Sequence, residues 1–251
     1  MEIDEYRRMA QVEQSHWWYD ATRRLLRQLL QPHFSRRAAT ESVFLDAGCG
    51  TGATGAWLAD FGQVIALDVE PAALSIYGEN HPGATHLLGG IEHIDLPDAS
   101  LDGALCVTVL YHRAVVDPAH AVAELARVVR PGGWVCLMEP GVRRLRRPHD
   151  RITHTGRRFS RRDLCDLARS AGLDVVTATG AFSFLIPPAA VKAVIDRRGT
   201  MSDLDDDGGW LRGTLSWLAR VERRVIRLLS LPVGLSVVVL ARKPDATAHV
   251  N

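Results

Sequence analysis

Residues 43–52 read Val-Phe-Leu-Asp-Ala-Gly-Cys-Gly-Thr-Gly, and no other stretch restricts the fold as much. An apolar run ends in an acid, glycines alternate at 48, 50 and 52, and a helical pattern begins at Ala53. The pattern predicts a strand, a tight turn that favours residues without Cβ, and a helix start. A second apolar run, Val64 to Leu67, ends in Asp68. Together they describe the first βαβ unit of a nucleotide-binding sheet, with an acid placed to accept hydrogen bonds from a ribose.

The turn by itself leaves the nucleotide open. Gly48, Gly50 and Ala53 also satisfy the dinucleotide spacing, in which backbone amides and a helix N-terminus cradle a pyrophosphate. Asp46 speaks against that reading, because a carboxylate at the strand tip repels two phosphate charges. S-adenosylmethionine carries a ribose, an adenine, a sulfonium and an ammonium but no phosphate, so an acid at the turn is tolerable or useful.

The rest of the chain narrows the choice. At 251 residues it suits one α/β domain with elaborations, or one domain and a small cap. A formal charge of +1 gives no global field for nucleic acid. Cys49, Cys106, Cys136 and Cys165 show no metal-ligand spacing and read as small buried side chains of a reducing compartment. The first twenty residues are too charged for a signal peptide, and no apolar run is long enough to span a membrane. The expectation is a cytoplasmic protein without a metal.

Strands are expected near 43–48, 63–68, 85–89, 102–109 and 134–139, with helices near 53–61, 71–79 and 118–129 between them. Strict alternation implies a parallel sheet with helices on both faces. Arg130-Pro131-Gly132-Gly133 reads as a stop and turn before the fifth strand. A helix over 160–171 has Ser160 as N-cap and Gly172 as stop; strands follow at 173–179 and 235–240. Upstream, residues 2–14 are helical, His16-Trp17-Trp18-Tyr19 interrupts, and a second helix runs from about Ala21 to Leu30, where Pro32 ends it. Two helical patterns, 187–197 and 210–230, separate the last strands, and the tail from Pro244 is expected to be disordered.

Five motifs in order resemble the class I S-adenosylmethionine-dependent methyltransferases. They are the glycine turn; Ala66-Leu67-Asp68; Gly89-Gly90-Ile91-Glu92 with Leu96-Pro97-Asp98; Val109-Leu110-Tyr111-His112; and Arg127 to Gly133. The flanks are similar to a bacterial subset with a His-Trp-Trp-Tyr motif followed by arginines, here Arg23 and Arg24. Its second motif appears as His149-Asp150, His154 and Arg157-Arg158-Phe159. The resemblance implies a Rossmann-like, seven-stranded, mostly parallel sheet with a terminal antiparallel strand and helices on both faces. It implies a helical lid at 1–41, a cofactor-binding core at 42–180, a helical insertion at 181–233, the last strand at 234–243 and a tail at 244–251.

By position, the resemblance puts Gly48, Cys49 and Gly50 along the methionine end of S-adenosylmethionine, with Asp46 at the turn. Asp68 holds the ribose, Val69 lies beside adenine, Gly90, Ile91 and Glu92 meet the adenine edge, and the backbone of Thr108 receives the ammonium. Gly90 departs from the acid that many relatives carry there, which leaves Glu92 or a backbone carbonyl to accept from the adenine amino group. Arg23 is placed to pair with the methionine carboxylate, or forms a solvated helix face.

Methyl transfer is an in-line displacement that requires alignment, exclusion of water and, for a hydroxyl acceptor, removal of a proton. Tyr111 and His112 follow strand four, and His149 and His154 follow strand five, on the edge where such sheets bind ligands. These are the candidates for base or substrate contact; alternatively His112 shapes its turn and the other two lie in an exposed loop. His16, Trp17, Trp18 and Tyr19 form a candidate substrate lid, or pack the N-terminal helix. Nine arginines between Arg143 and Arg162, Arg158 among them, suit an anionic substrate or a solvated loop. The helix at 210–230 either caps the domain or rests peripherally on anionic lipid. The expected reaction is methylation of a small molecule, such as a glycoside or natural-product intermediate, with S-adenosylhomocysteine as product. A non-catalytic cofactor-binding scaffold and a nicotinamide oxidoreductase are the alternatives.

Overall fold

A computed structural model describes residues 3–34, 41–142, 156–189 and 211–245. Its seven strands are β1 (Val43–Ala47), β2 (Gln63–Asp68), β3 (Thr85–Leu88), β4 (Leu101–Val107), β5 (Val129–Pro140), β6 (Asp174–Ala181) and β7 (Ser236–Arg242). They form one sheet in the order β3-β2-β1-β4-β5-β7-β6. The first five pair in parallel, while β7 runs antiparallel between β5 and β6. Ala47 pairs with both Leu67 and Cys106, and Cys106 with Leu137, so the carboxyl tips of β1, β2, β4 and β5 share one edge.

Among the described residues six α-helices cover the sheet: α1 (Ile3–Ser15), α2 (Trp17–Leu30), α3 (Pro71–Asn80), α4 (Pro118–Val128), α5 (Arg161–Ser170) and α6 (Arg212–Ile226). Both sheet faces are covered, so the central strands are apolar without alternation, and all of β4 is buried. Along β1, Phe44 and Leu45 point to opposite faces and join different cores. One core places Leu45, Ala104 and Leu137 against Leu125 of α4 and Leu164 of α5. The other places Phe44, Leu105 and Trp134 against Leu26 and Leu30 of α2 and Ala219 and Ile226 of α6. The N-terminal segment and the helix before β7 therefore share one core with the sheet.

Three boundaries differ from the sequence pattern. The helix expected over 53–61 is a set of turns followed by a 3-10 helix, Ala56–Asp60. Gly52 at φ +97° leaves the helical region, and a Cβ at Gly55 would lie 2.2 Å from the Asp46 carboxyl. Second, α2 begins at Trp17, not Ala21, because His16 caps it: its Nδ1 accepts the Trp18 N–H at 3.2 Å. Third, β5 starts before the glycines. Leu101 pairs with Val129 and pairing resumes at Gly103 with Trp134, so Arg130 to Gly133 is a bulge within the strand. By contrast, α5 has the expected Ser160 cap, completed by Asp163, and ends before Gly172 at φ +76°. All four cysteines are buried and unpaired. Among the described residues no helix is long and apolar enough to cross a membrane.

Candidate cofactor and acceptor site

The glycine turn is held from below by β2. Gly48 N–H and Cys49 N–H both donate to the Leu67 carbonyl, at 2.8 and 3.0 Å. Gly48 has φ +68°, and a Cβ there would meet Val109 Cγ2 at 2.3 Å, so both conformation and space require glycine. Asp68 is oriented by two amides: Gly50 N–H donates to Oδ2 at 2.8 Å and Glu70 N–H to Oδ1 at 3.0 Å. Beside it Val69 is 59% exposed, whereas Ile91 is buried. A Cβ at Gly50 would meet nothing within 4 Å, and one at Gly90 would meet only Val69, at 3.8 Å. An oriented acid, an exposed apolar wall and a floor without Cβ fit an adenosine: the acid for ribose hydroxyls, the valine for the adenine face.

Two expectations change here. Asp46 does not face this slot. It is buried beneath the turn against Gly55, its Oδ2 has no hydrogen-bond partner, and burial, aided by the Asp68 charge, pushes its carboxyl up to about 7. Its charge near neutrality is therefore only partial, which weakens the repulsion expected of it. What disfavours a pyrophosphate is different: Asp68 occupies the Gly50 amide, and no regular α-helix N-terminus follows the turn to supply further amides and a dipole. Glu92 is the second correction. Its carboxylate accepts from Val116 N–H at 3.2 Å and Asp117 N–H at 2.7 Å, bracing the entry to α4.

Beyond β4, Thr108 sits at φ +54°, a conformation costly for a β-branched residue. Its N–H donates to the Met138 carbonyl at 2.7 Å. The following turn is organised by Glu139, a fully buried acid at the tip of β5. Its carboxylate accepts N–H groups from Val109, Leu110 and Tyr111 at 3.0, 2.8 and 3.1 Å. Burial pushes this carboxyl up to about 8, against the three amides, which favour the charged form. The sequence reading missed Glu139, although the signal was the same one that marked Asp46 and Asp68: an acid closing an apolar run.

His112 Nδ1 accepts the Ala114 N–H at 3.2 Å, so the neutral ring carries its proton on Nε2. His112 thereby shapes its turn through Nδ1 and carries a donor at Nε2. The Tyr111 carbonyl receives Gly156 N–H at 2.8 Å, and Arg158 Nη1 donates to the Gly141 carbonyl at 3.1 Å. These contacts bring the segment after β5 to the tip of β4. His149 and His154 lie outside the described residues.

The N-terminal helices close over the turn through a polar cluster that sequence reasoning also missed. Glu13 of α1 is buried and accepts from the Thr51 hydroxyl and from Tyr19. Burial raises the Glu13 carboxyl, and burial together with Glu13 raises the Tyr19 phenol. Arg23 Nη1 donates to the Ala53 carbonyl at 2.8 Å, anchoring α2 to the same loop. Tyr111 is close enough to Tyr19 to disfavour its ionisation, so lid and post-β4 loop are neighbours. Of the aromatic run, His16 is the buried α2 cap, a folding role and not the expected substrate contact. Trp17 packs in the core with Phe182. Trp18 and Tyr19 stay half-buried, edge to face at 4.9 Å. Thr51, a hydroxyl inside the glycine motif, was a legible signal; Glu13 had none.

Comparison with known proteins agrees with this geometry. Residues 45–137 match a family described as a methyltransferase domain. Over 92 residues the chain is 42% identical to a malonyl-[acyl-carrier protein] O-methyltransferase of Serratia marcescens, covering 36% of this chain and 35% of that protein. Over 177 residues it is 30% identical to a protein of Mycolicibacterium smegmatis named a probable S-adenosylmethionine-dependent methyltransferase, covering 68% of this chain and 64% of that one. The chain thus spans less than two thirds of either relative. A SAM-dependent methyltransferase of Thermotoga maritima shares the fold at a TM-score of 0.60, with 20% identity over 96% of this chain and 95% of that one. Residues 45–137 are thus similar to a methyltransferase domain, and they lie within a seven-stranded Rossmann-like sheet of the kind that S-adenosylmethionine-dependent methyltransferases share.

Proposed function

We propose that this chain transfers a methyl group from S-adenosylmethionine to a small anionic acceptor. The observation that carries the reading is the slot formed by the amide-oriented Asp68, the exposed Val69 and the open faces of Gly50 and Gly90. When bound, the cofactor supplies an electrophilic methyl group on a sulfonium. The chain's own residues do the rest. Asp68 accepts from the ribose hydroxyls, the Thr108 backbone receives the ammonium, and Arg23 lies within reach of the carboxylate end. Trp18 and Tyr19 cover the acceptor and exclude water, while His112 donates from Nε2 to an acceptor oxygen. The arginines between 143 and 162 favour an acceptor with negative charge. The malonyl group named for the Serratia relative is such a group, and an ionised carboxylate needs no base.

For a hydroxyl acceptor, His149 and His154 are the proposed bases. Formation of S-adenosylhomocysteine is to be followed with purified chain against carboxylate and hydroxyl acceptors. His112→Ala should raise KM and lower kcat by less than about tenfold, as expected for a positioning donor, whereas loss of a true base costs about 10²–10⁴. Cofactor binding without turnover on any acceptor would instead select the scaffold reading.

A further inference from the structure

Helix α6 buries one face and leaves most of the other exposed. Ala219, Glu222 and Ile226 face inward, and the Glu222 carboxylate accepts Phe182 N–H at 2.6 Å and Ser183 N–H at 2.7 Å. Trp217, Arg220, Arg224 and Leu228 follow at helical spacing on the opposite side. Leu228 is 84% exposed, Leu229 66% and Trp217 56%, and Val233 is also exposed. Isolated exposed apolar residues are ordinary; here Trp217 on α6 and Leu228, Leu229 and Val233 in the segment after it fall within seventeen residues.

The charge of this surface is one-sided. Residues 211–233 hold five arginines and a single acid, Glu222, which is committed to the backbone. Arg212 and Arg227 donate to uncharged oxygens of Ser15 and Gln28. Arg220 and Arg223 meet Arg24 of α2 around a cleft of about 70 Å³, where only Asp20 opposes them, and Asp20 pairs with Arg24. Burial and the neighbouring Arg24, Arg227 and Arg220 hold the Arg223 guanidinium below its usual range.

We propose that the outer face of α6 and the following Leu228-Leu229 turn form a docking surface for an anionic phospholipid bilayer. Arginines beside headgroup phosphates, with tryptophan and leucines entering the acyl boundary, make the interfacial pattern of a helix lying in the membrane plane. A nucleic acid would satisfy the arginines but would leave Leu228 and Leu229 in water. The segment that carries α6 leaves the sheet at Ala181 and returns at Ser236, which pairs with Pro140 of β5, so both its ends lie at the carboxyl edge of the sheet.

The test is sedimentation of the full chain with phosphatidylcholine vesicles, with and without about one third phosphatidylglycerol. Binding is expected only to the anionic vesicles and is expected to weaken with salt. Arg220→Ala with Arg224→Ala should weaken it by about 20- to 30-fold, roughly fivefold per charge. Leu228→Ser with Leu229→Ser should weaken it by on the order of tenfold. Both pairs should retain wild-type circular dichroism and S-adenosylhomocysteine affinity, since all four side chains are exposed. Three outcomes would overturn the proposal: equal indifference to both vesicles, displacement by soluble glycerol phosphate with no effect of the leucine changes, or arginine-dependent binding of RNA by a chain that ignores vesicles.

Discussion

At the scale of single residues, the site rests on acids whose placement is more informative than their number. Asp68, the last residue of β2, is prepared for its ligand by two amides, whereas Asp46, one residue short of the end of β1, is buried under the turn. The two should behave differently with pH. The Asp46 carboxyl lies at about 7 in the folded chain against an ordinary value of 3.8. A raised carboxyl means that the folded state holds the proton more firmly. Its contribution is therefore full below the ordinary value and is lost as pH climbs through the folded one. In urea melts, the stability of wild type minus that of Asp46→Asn should fall between about pH 4 and 7 and level off above. A flat difference would contradict the burial of a titrating Asp46. Glu139 makes the complementary prediction. Replacing it with alanine strands one buried and two partly buried amides and should cost about 2–5 kcal/mol, with Glu139→Gln intermediate because it keeps one acceptor oxygen.

At the scale of elements, α1 and α2 are fastened to the glycine turn by polar contacts and not by packing alone. Thr51 and Tyr19 both donate to the buried Glu13, and Arg23 reaches the Ala53 carbonyl. Glu13→Ala should cost about 1–3 kcal/mol and weaken cofactor binding, because two donors lose their acceptor beside the slot. Hydrogen exchange should localise the change to residues of α1 and α2, and an effect spread evenly over the sheet would argue against a latch. The latch also explains why the segment after Gly52 need not be an α-helix: its loop is held from above by the lid and from below by Asp46 and Gly55.

At the scale of the molecule, the positions of the strands were legible because apolar runs closed by acids, and helical patterns between them, are local signals. The seven strands lie near their expected positions, and Ser160 and Gly172 bound α5 as their chemistry dictates. What was not legible depends on contacts across the sequence. The proximity of Asp46 to Gly55 turned an expected helix into a 3-10 turn, and the His16 cap lengthened α2. Glu13 reaches Thr51 across 38 positions, with no periodicity to announce it. The tautomer of His112 is set by the Ala114 amide, which residue type alone does not reveal.

One titration addresses the central claim, that the turn accepts a phosphate-free adenosine bearing a methionine end. Calorimetry of the whole chain with S-adenosylhomocysteine and, separately, NAD is expected to show single-site binding of the first only, weakened about 10- to 100-fold by Asp68→Ala. Binding of NAD with no response to S-adenosylhomocysteine would contradict it.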